Sequence, residues 1–297
     1  MERGNRLYQR TLAQAQLAAG KTSDAESTLM ELLASDSTDG LANLIMGRVL
    51  AKEGRFTEAI SYFHRAIYGQ WNQDAAENRL RARFELIDLL VRRNSKEDLL
   101  AELLPVQDEA PQDLTVRARM GRLFLRAGSP LRAAEVFRGI LHEAPANADA
   151  YAGLGEAEFA QGNYRAAQRD FQTTLRLAPD DQADRKRLDL CNELLALDPS
   201  RRGLGPEERL SRSRKLVQLT LEETSQCLGQ NPSPEIRGWL NQAAKALKAH
   251  VNSAHQNAVS ESNLDLAEQI WQAGGKECNP PPRADNPLAS VLARLVQ

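Results

Sequence analysis

The stretch MGRLFLRAGSPLRAAEVFRGILHEAP, residues 120–145, shows how this chain of 297 residues folds. Apolar side chains recur every three or four residues on both sides of Gly128, which is the spacing of two amphipathic helices. Glycine readily adopts the left-handed backbone conformation that ends many helices, so Gly128 lets the chain reverse. Pro145 stops the second helix, because proline cannot continue an interior helical turn. The stretch therefore predicts a helical hairpin.

The same pattern recurs along the first 180 residues. The turn falls at intervals of 34, 40, 34 and 34 residues, at Gly20, Gly54, Asn94, Gly128 and Gly162. Nine positions after each turn stands a leucine or phenylalanine, namely Leu29, Phe63, Leu103, Phe137 and Phe171. Self-similarity at a fixed period is the signature of a repeat protein.

Small residues complete the motif, since Gly121 and Gly155 let the two helices of a hairpin approach closely. The phenylalanines are expected to fill the space between neighbouring repeats. Together these residues resemble the tetratricopeptide repeat, whose pattern is W-x2-L-G-x2-Y…A-x3-F…P. The match is strongest over 120–145 and 151–179, and its style resembles that of bacterial repeat proteins. The resemblance implies an all-α fold, a right-handed α-solenoid of about five helix-turn-helix repeats.

The expected domain organisation follows from the register of this motif. The five repeats cover about 6–39, 40–73, 80–113, 114–147 and 148–181. A capping helix is expected over 182–200, because a solenoid must cover its last apolar face. Six extra residues near Trp71 separate the second and third repeats. They indicate either a longer helix or spacer, or an insertion on a binding edge.

A helical C-terminal region is expected over 201–297. Pro206, Ser233 and Ser260 are placed to begin its helices. These helices are expected over about 206–228, 233–258 and 261–273. A stiff extended segment, 279–282, and a short helix, 287–296, follow. So short a helix is not stable alone in water, so it must dock on the chain's own body or on a partner.

The resemblance implies that the first helix of each repeat faces a concave groove, where partners of such proteins usually lie. Residues four apart on these helices stack on one face, and the middle three repeats offer cations there. Arginine binds carboxylates by paired hydrogen bonds, so the groove favours an acidic or carboxylate-bearing segment of a protein partner. The expected partner-binding residues are Arg48, Lys52, Phe84, Arg92, Arg122, Leu125, Arg126 and Phe159. The alternative is that these cations are solvated, or are neutralised by Glu85, Asp88, Glu156 and Glu158.

Composition and motifs exclude several other functions. The formal net charge is −2, which gives no general attraction to nucleic acid or anionic lipid. A basic run from Arg201 to Lys215 has no interleaved aromatic side chains, so no nucleic acid is expected. No phosphate-binding loop, dinucleotide fingerprint, nucleophile elbow or His-Glu-x-x-His motif occurs. We therefore expect no enzyme, no catalytic residue, no cofactor and no metal. Cys191, Cys227 and Cys278 are expected to be unpaired thiols.

The sequence predicts a non-enzymatic protein–protein interaction scaffold or adaptor. One alternative is a structural subunit of a larger assembly, with or without membrane association, and another is an RNA- or phosphate-binding solenoid. No stretch is long enough to span a membrane, so no membrane insertion of this chain is expected. The sequence is compatible with the cytoplasm and, behind an upstream signal or anchor, with the periplasm. It is compatible with any oligomeric state.

Overall fold

The computed structural model describes residues 6–109, 113–229, 232–278 and 286–295, and within these residues the fold is all-α. A single isolated bridge, between Asp39 and Gln70, is the extent of β-type pairing in this part of the chain. The helices are α1 (Arg6–Ala18), α2 (Thr22–Ser35), α3 (Gly40–Lys52), α4 (Phe56–Tyr68), α5 (Ala75–Arg93), α6 (Lys96–Glu109), α7 (Leu114–Arg126), α8 (Pro130–Glu143), α9 (Ala148–Ala160), α10 (Tyr164–Leu177), α11 (Gln182–Leu197), α12 (Pro206–Leu228), α13 (Pro234–Lys248), α14 (Gln256–Glu277) and α15 (Pro287–Leu295). A 3-10 helix, Ser253–His255, directly precedes α14.

The chain divides into two compact units, Met1–Ile140 and Leu141–Gln297, and the boundary falls within α8. In the first unit, each helix from α1 to α6 packs on the next one in the chain. The predicted turn residues have the expected backbone, with φ of +77° at Gly20, +78° at Gly54, +54° at Asn94 and +72° at Gly128. After each turn a backbone N–H bonds back across it, as from Arg55 to the carbonyl of Leu50 at 2.9 Å. These are the left-handed caps that the sequence predicts.

Glycine and phenylalanine determine how closely the helices of a hairpin pack. A Cβ atom on Gly121 would lie 2.6 Å from Cζ of Phe137, so no larger residue fits there without displacing the ring. Within the second unit, Gly155 stands in the same relation to Phe171, at 2.7 Å from Cε1. Each phenylalanine therefore packs inside its own hairpin, a contact that the repeat pattern alone did not predict.

The extra residues between the second and third repeats form a structural lock. The indole of Trp71 lies against Gly40 at the start of α3, in the space that a side chain at Gly40 would need. Its Nε1 donates a hydrogen bond to the carbonyl of Ala66 at 2.9 Å. The backbone of Gln70 pairs with Thr38 and Gly40 beside it. The insertion also lengthens α5, which begins at Ala75, so the longer helix predicted as one alternative is what forms.

The second unit has a different plan after its hairpin α9–α10. Helix α11 packs on α10, and α12 packs on α14. One core holds buried side chains from α11, α12, α14 and α15, among them Leu194, Val217, Ile270 and Leu292. The short helix α15 thus docks on the chain's own body, which resolves the choice that the sequence left open.

Two expectations for this region were wrong. Helix α14 runs unbroken through Ser260, which is buried and donates to the carbonyl of Arg209 at 3.3 Å, so it is not a cap. The break lies instead after Lys248 and before Gln256, where neither glycine nor proline marks it in the sequence. The cysteines are not all unpaired, because Cys227 and Cys278 form a disulfide and Cys191 alone is a free, buried thiol. The odd number of cysteines in the sequence gave no indication of this pair. The expectation for the extended segment 279–282 lies outside the described residues.

Candidate functional site

Three cations end three successive first helices of the N-terminal unit. Lys52, Arg92 and Arg126 lie in the last turns of α3, α5 and α7. All three are exposed. For Arg92 and Arg126 the described residues supply neither an ion pair nor a hydrogen bond, and the ammonium of Lys52 only reaches the carbonyl of Leu17 at 3.4 Å. We call Lys52, Arg92 and Arg126 the cation ladder.

One or two helical turns before the ladder, charged side chains join neighbouring repeats. The guanidinium of Arg48 on α3 donates two hydrogen bonds to the carboxylate of Glu85 on α5, at 2.7 and 2.6 Å. Asp88 on α5 accepts from Arg119 on α7 at 2.7 Å. These pairs place α3 beside α5 and α5 beside α7. Arg48 is therefore neutralised, as the alternative interpretation expected for some of the cations.

The second unit repeats this device once. Glu156 on α9 pairs with Arg187 on α11 at 2.7 Å. Arg187 also pairs with Asp184 at 2.6 Å, and the N-cap Asp181 accepts from the backbone of Ala183 at 2.9 Å. By its cap and its ion pair, α11 takes the part of the first helix of a further repeat within this unit.

The aromatic residues expected in the groove are engaged by other residues. Phe84 is half-buried, and the guanidinium of Arg119 stacks over its ring at 4.8 Å from the centroid. Phe159 belongs to the second unit, where it lies 5.2 Å from the ring of Tyr164 and packs on the core. Leu125 is half-buried and Arg122 is exposed, both on α7. The accessible part of the expected site is consequently more cationic than apolar.

The basic run that begins at Arg201 serves the fold of the second unit. Arg212 donates to the carbonyl of Leu195 at 2.7 Å and to the carboxylate of Glu208 at 2.7 Å. Arg214 donates to the carbonyl of Ala249. Two of the cations that an RNA or phosphate ligand would need are thus occupied by backbone and carboxylate oxygens.

Two features are absent from the described part of the chain, a metal-binding group and a membrane-spanning helix. Its histidine, cysteine, aspartate and glutamate side chains form no group of three or more that would hold a metal ion. Its helices include none that combines the length and apolar character of a membrane span.

The stacked hairpins, their left-handed turns and their inter-repeat ion pairs define an α-helical repeat protein. Family models described as tetratricopeptide repeat match residues 10–76 and 124–188. Over these two ranges the chain consists of tetratricopeptide repeats. Tetratricopeptide repeat proteins generally act as scaffolds for protein interactions, and the repeats of this chain form such a scaffold. The resemblance that the sequence suggested is confirmed.

Solved structures with similar folds include YrrB, a TPR protein described as having an unusual peptide-binding site. The two sequences are 18% identical, and the alignment covers 61% of this chain and 91% of YrrB with a TM-score of 0.48. For MamA MSR-1 the sequence identity is 21%, and the alignment covers 59% of this chain and 97% of MamA with a TM-score of 0.43. At these values the similarity carries no argument about function. A comparison with curated proteins gave no match.

Proposed function

We propose that a protein partner binds along the first helices of the N-terminal unit, with its carboxylates on the cation ladder. The observation that carries this proposal is a difference between the last turn of these helices and the turns before it. Cations one or two turns earlier, such as Arg48 and Arg119, are paired with carboxylates of the chain itself. Arg92 and Arg126 have no such partner in the described residues, and both are exposed. They retain the paired donors that suit a carboxylate.

A competing explanation is that these cations only complement helix dipoles. A cation in the last turn stabilises a helix by about 0.3–1 kcal/mol because the terminal carbonyls carry partial negative charge. Not every first helix of this chain needs such a cation, since α1 and α9 have no basic residue in the last turn. The two explanations predict different losses. Removing a dipole partner lowers stability, whereas removing a ligand-binding cation lowers capture of the partner.

The chemistry of the proposed ligand follows from the balance of apolar and charged groups on this face. The ring of Phe84 is covered by the guanidinium of Arg119. Of the apolar residues expected in the groove of the N-terminal unit, only the half-buried Leu125 is then left to contact a partner. An extended segment rich in Asp or Glu, or ending in a free carboxylate, matches such a surface. Binding of this kind weakens as salt screens the charges.

The test compares two variants that have the same net charge. Arg92→Glu with Arg126→Glu reverses two rungs of the ladder. Arg81→Glu with Arg132→Glu reverses two exposed arginines elsewhere in the same unit that lack pairing among the described residues. Affinity capture from the native source, followed by mass spectrometry, is run with the wild type and both variants. Acidic peptides with free or amidated C-termini serve as defined probes.

We expect the ladder variant to lose the captured partner and to bind acidic peptides at least about tenfold more weakly, because like charges now face each other. The control variant should retain both activities, and both should unfold at nearly the wild-type temperature. Equal capture by the two variants contradicts the proposal. A lower unfolding temperature of the ladder variant with unchanged capture supports the dipole explanation instead.

A further inference from the structure

The disulfide joins two helix ends in the second unit. Cys227 lies in the last turn of α12, and Cys278 directly follows α14. Their Cα atoms are 5.9 Å apart although 51 residues separate them in sequence. Cys227 is exposed and Cys278 is half-buried. A small dithiol in solvent therefore reaches the bond.

Apolar packing is thin where the disulfide lies. Gly274 and Gly275 leave this end of α14 without side chains, and a Cβ on Gly274 would lie 3.1 Å from Oγ1 of Thr224. A cavity of about 150 Å³ lies beside the two cysteines and is also lined by Trp271 and Leu288. The covalent bond joins the two helices at an end where glycines and a cavity take the place of large apolar side chains.

The docking of α15 begins at the same place. The side-chain amide of Asn286 donates to both carboxylate oxygens of Glu223 on α12, at 2.8 and 3.0 Å. Its Oδ1 accepts the backbone N–H of Leu288 at 2.9 Å and so caps α15. Leu288, Val291 and Leu292 are at most 2% exposed in the shared core. A helix of nine residues is not stable in water without such packing.

We propose that the Cys227–Cys278 bond is a redox-dependent latch that controls the docking of α15. With the bond closed, Cys278 is fixed on α12, and eight residues later Asn286 binds Glu223, one turn from Cys227 on the same helix. With the bond open, the end of α14 is free to fray, which lowers the local concentration of α15 at its seat. The helix then leaves Leu194 and its neighbours exposed. The latch is closed in a compartment where disulfides persist.

The redox step needs a dithiol as co-reactant. A thiolate of the dithiol attacks one sulfur, the S–S bond breaks, and a mixed disulfide forms. The second thiol of the dithiol displaces the remaining sulfur. Two electrons and two protons have then passed to Cys227 and Cys278, and the dithiol has become a disulfide. Burial raises the pKa of Cys191 to about 11, so this thiol stays protonated at neutral pH and takes no part in the exchange.

The experiment uses the full chain, oxidised in a glutathione buffer, then divided and reduced in one half with dithiothreitol. Peptide mapping after alkylation locates the bond. Hydrogen exchange is measured over 286–295, with α9 and α10 as the internal reference. The Cys191→Ala variant keeps the latch and serves as the matched control. The Cys227→Ser, Cys278→Ser double variant lacks it permanently.

We expect a bond between Cys227 and Cys278, and exchange over 286–295 at least about tenfold faster after reduction. Exchange in α9 and α10 should stay within about twofold, and reoxidation should restore protection. The double variant should behave like the reduced wild type, and Cys191→Ala like the untreated protein. Two free thiols after oxidation overturn the proposal, and so does unchanged exchange over 286–295. Faster exchange throughout the unit overturns it as well, because the bond would then stabilise the whole core. If the double variant does not fold, the reduced and reoxidised wild type still decides the question.

Discussion

The repeat hairpins and the C-terminal helices α12–α15 reach a buried core by different routes. In hairpin α3–α4 the decisive contacts join neighbours in the chain, such as Gly47 and Phe63, whose ring lies 3.2 Å from where a Cβ would be. In the C-terminal region the contacts span longer distances in sequence. Asn263 donates to Ser213 across 50 residues, and Asn286 reaches Glu223 across 63. Closing chain loops of that length during folding costs conformational entropy. The disulfide lowers this cost because it already closes one such loop in the unfolded chain.

The largest effect that would test this contrast concerns packing in the repeats. Phe137 is fully buried, so Phe137→Ala should lower the free energy of unfolding of the N-terminal unit by about 3–5 kcal/mol. The cost should be the same with and without dithiothreitol, because all three cysteines follow residue 140. Hydrogen exchange over 114–140 measures it, with Val136→Ala, a half-buried neighbour, as the control. If the loss of unfolding free energy in Phe137→Ala changed with dithiothreitol, the stability of the repeats would also depend on the disulfide, and the contrast would fail.

A smaller effect separates two uses of glycine within the repeats. Gly121→Ala should cost about 1–3 kcal/mol, because the new Cβ would overlap the ring of Phe137. Gly54 has φ of +78° and no atom within 4 Å of its Cβ position, so Gly54→Ala should cost about 1–2 kcal/mol through its backbone alone. Asparagine already fills the equivalent turn at Asn94. Gly54→Asn should therefore be milder than Gly54→Ala in chemical denaturation, whereas Gly121→Asn should be worse than Gly121→Ala. The opposite order at either glycine would refute the assignment.

The smallest effect concerns the charges that join repeats. The side chains of Arg48 and Glu85 are 32% and 29% exposed, so a double-mutant cycle to alanine should give a coupling of about 0.5–1 kcal/mol. High salt should reduce the coupling, because the pair is reached by solvent. Urea unfolding of the four proteins in low and high salt provides the values. A coupling of zero in low salt would show that the pair only orients the two helices.

The sequence predicted the local elements of the repeats and missed what depends on their stacking. Gly128 and Asn94 were predictable because a helix must reverse at a residue that tolerates positive φ. Neutralisation by Glu85 was only an alternative, and its pairing with Arg48 was not assigned, since spacing within one helix does not identify a partner 37 residues away. The same limit explains Cys227 and Cys278. Asp181, however, carried a usable signal, because it stands 34 residues after the capping Asn147 and marks α11 as another first helix.

The site was predicted less completely for a related reason. The resemblance implied that the helices carrying Lys52, Arg92 and Arg126 face the groove, and helical spacing stacked each cation on the residue four positions before it. It did not show that Arg119 would cover Phe84, because Arg119 comes from the next repeat. Phe159 was assigned to the groove from its position in the motif, and its packing against Tyr164 depends on the fold of the second unit.

The contact between Trp71 and Gly40 constrains how the sequence can evolve. Gly40 tolerates no side chain while the indole of Trp71 lies against it, and the indole keeps its place only while Gly40 remains bare. Neither position is free to drift alone, so descendants of this sequence should change the two together or leave both untouched. A lineage that deleted the extra residues near Trp71 would be released from this constraint, and position 40 would then accept ordinary residues.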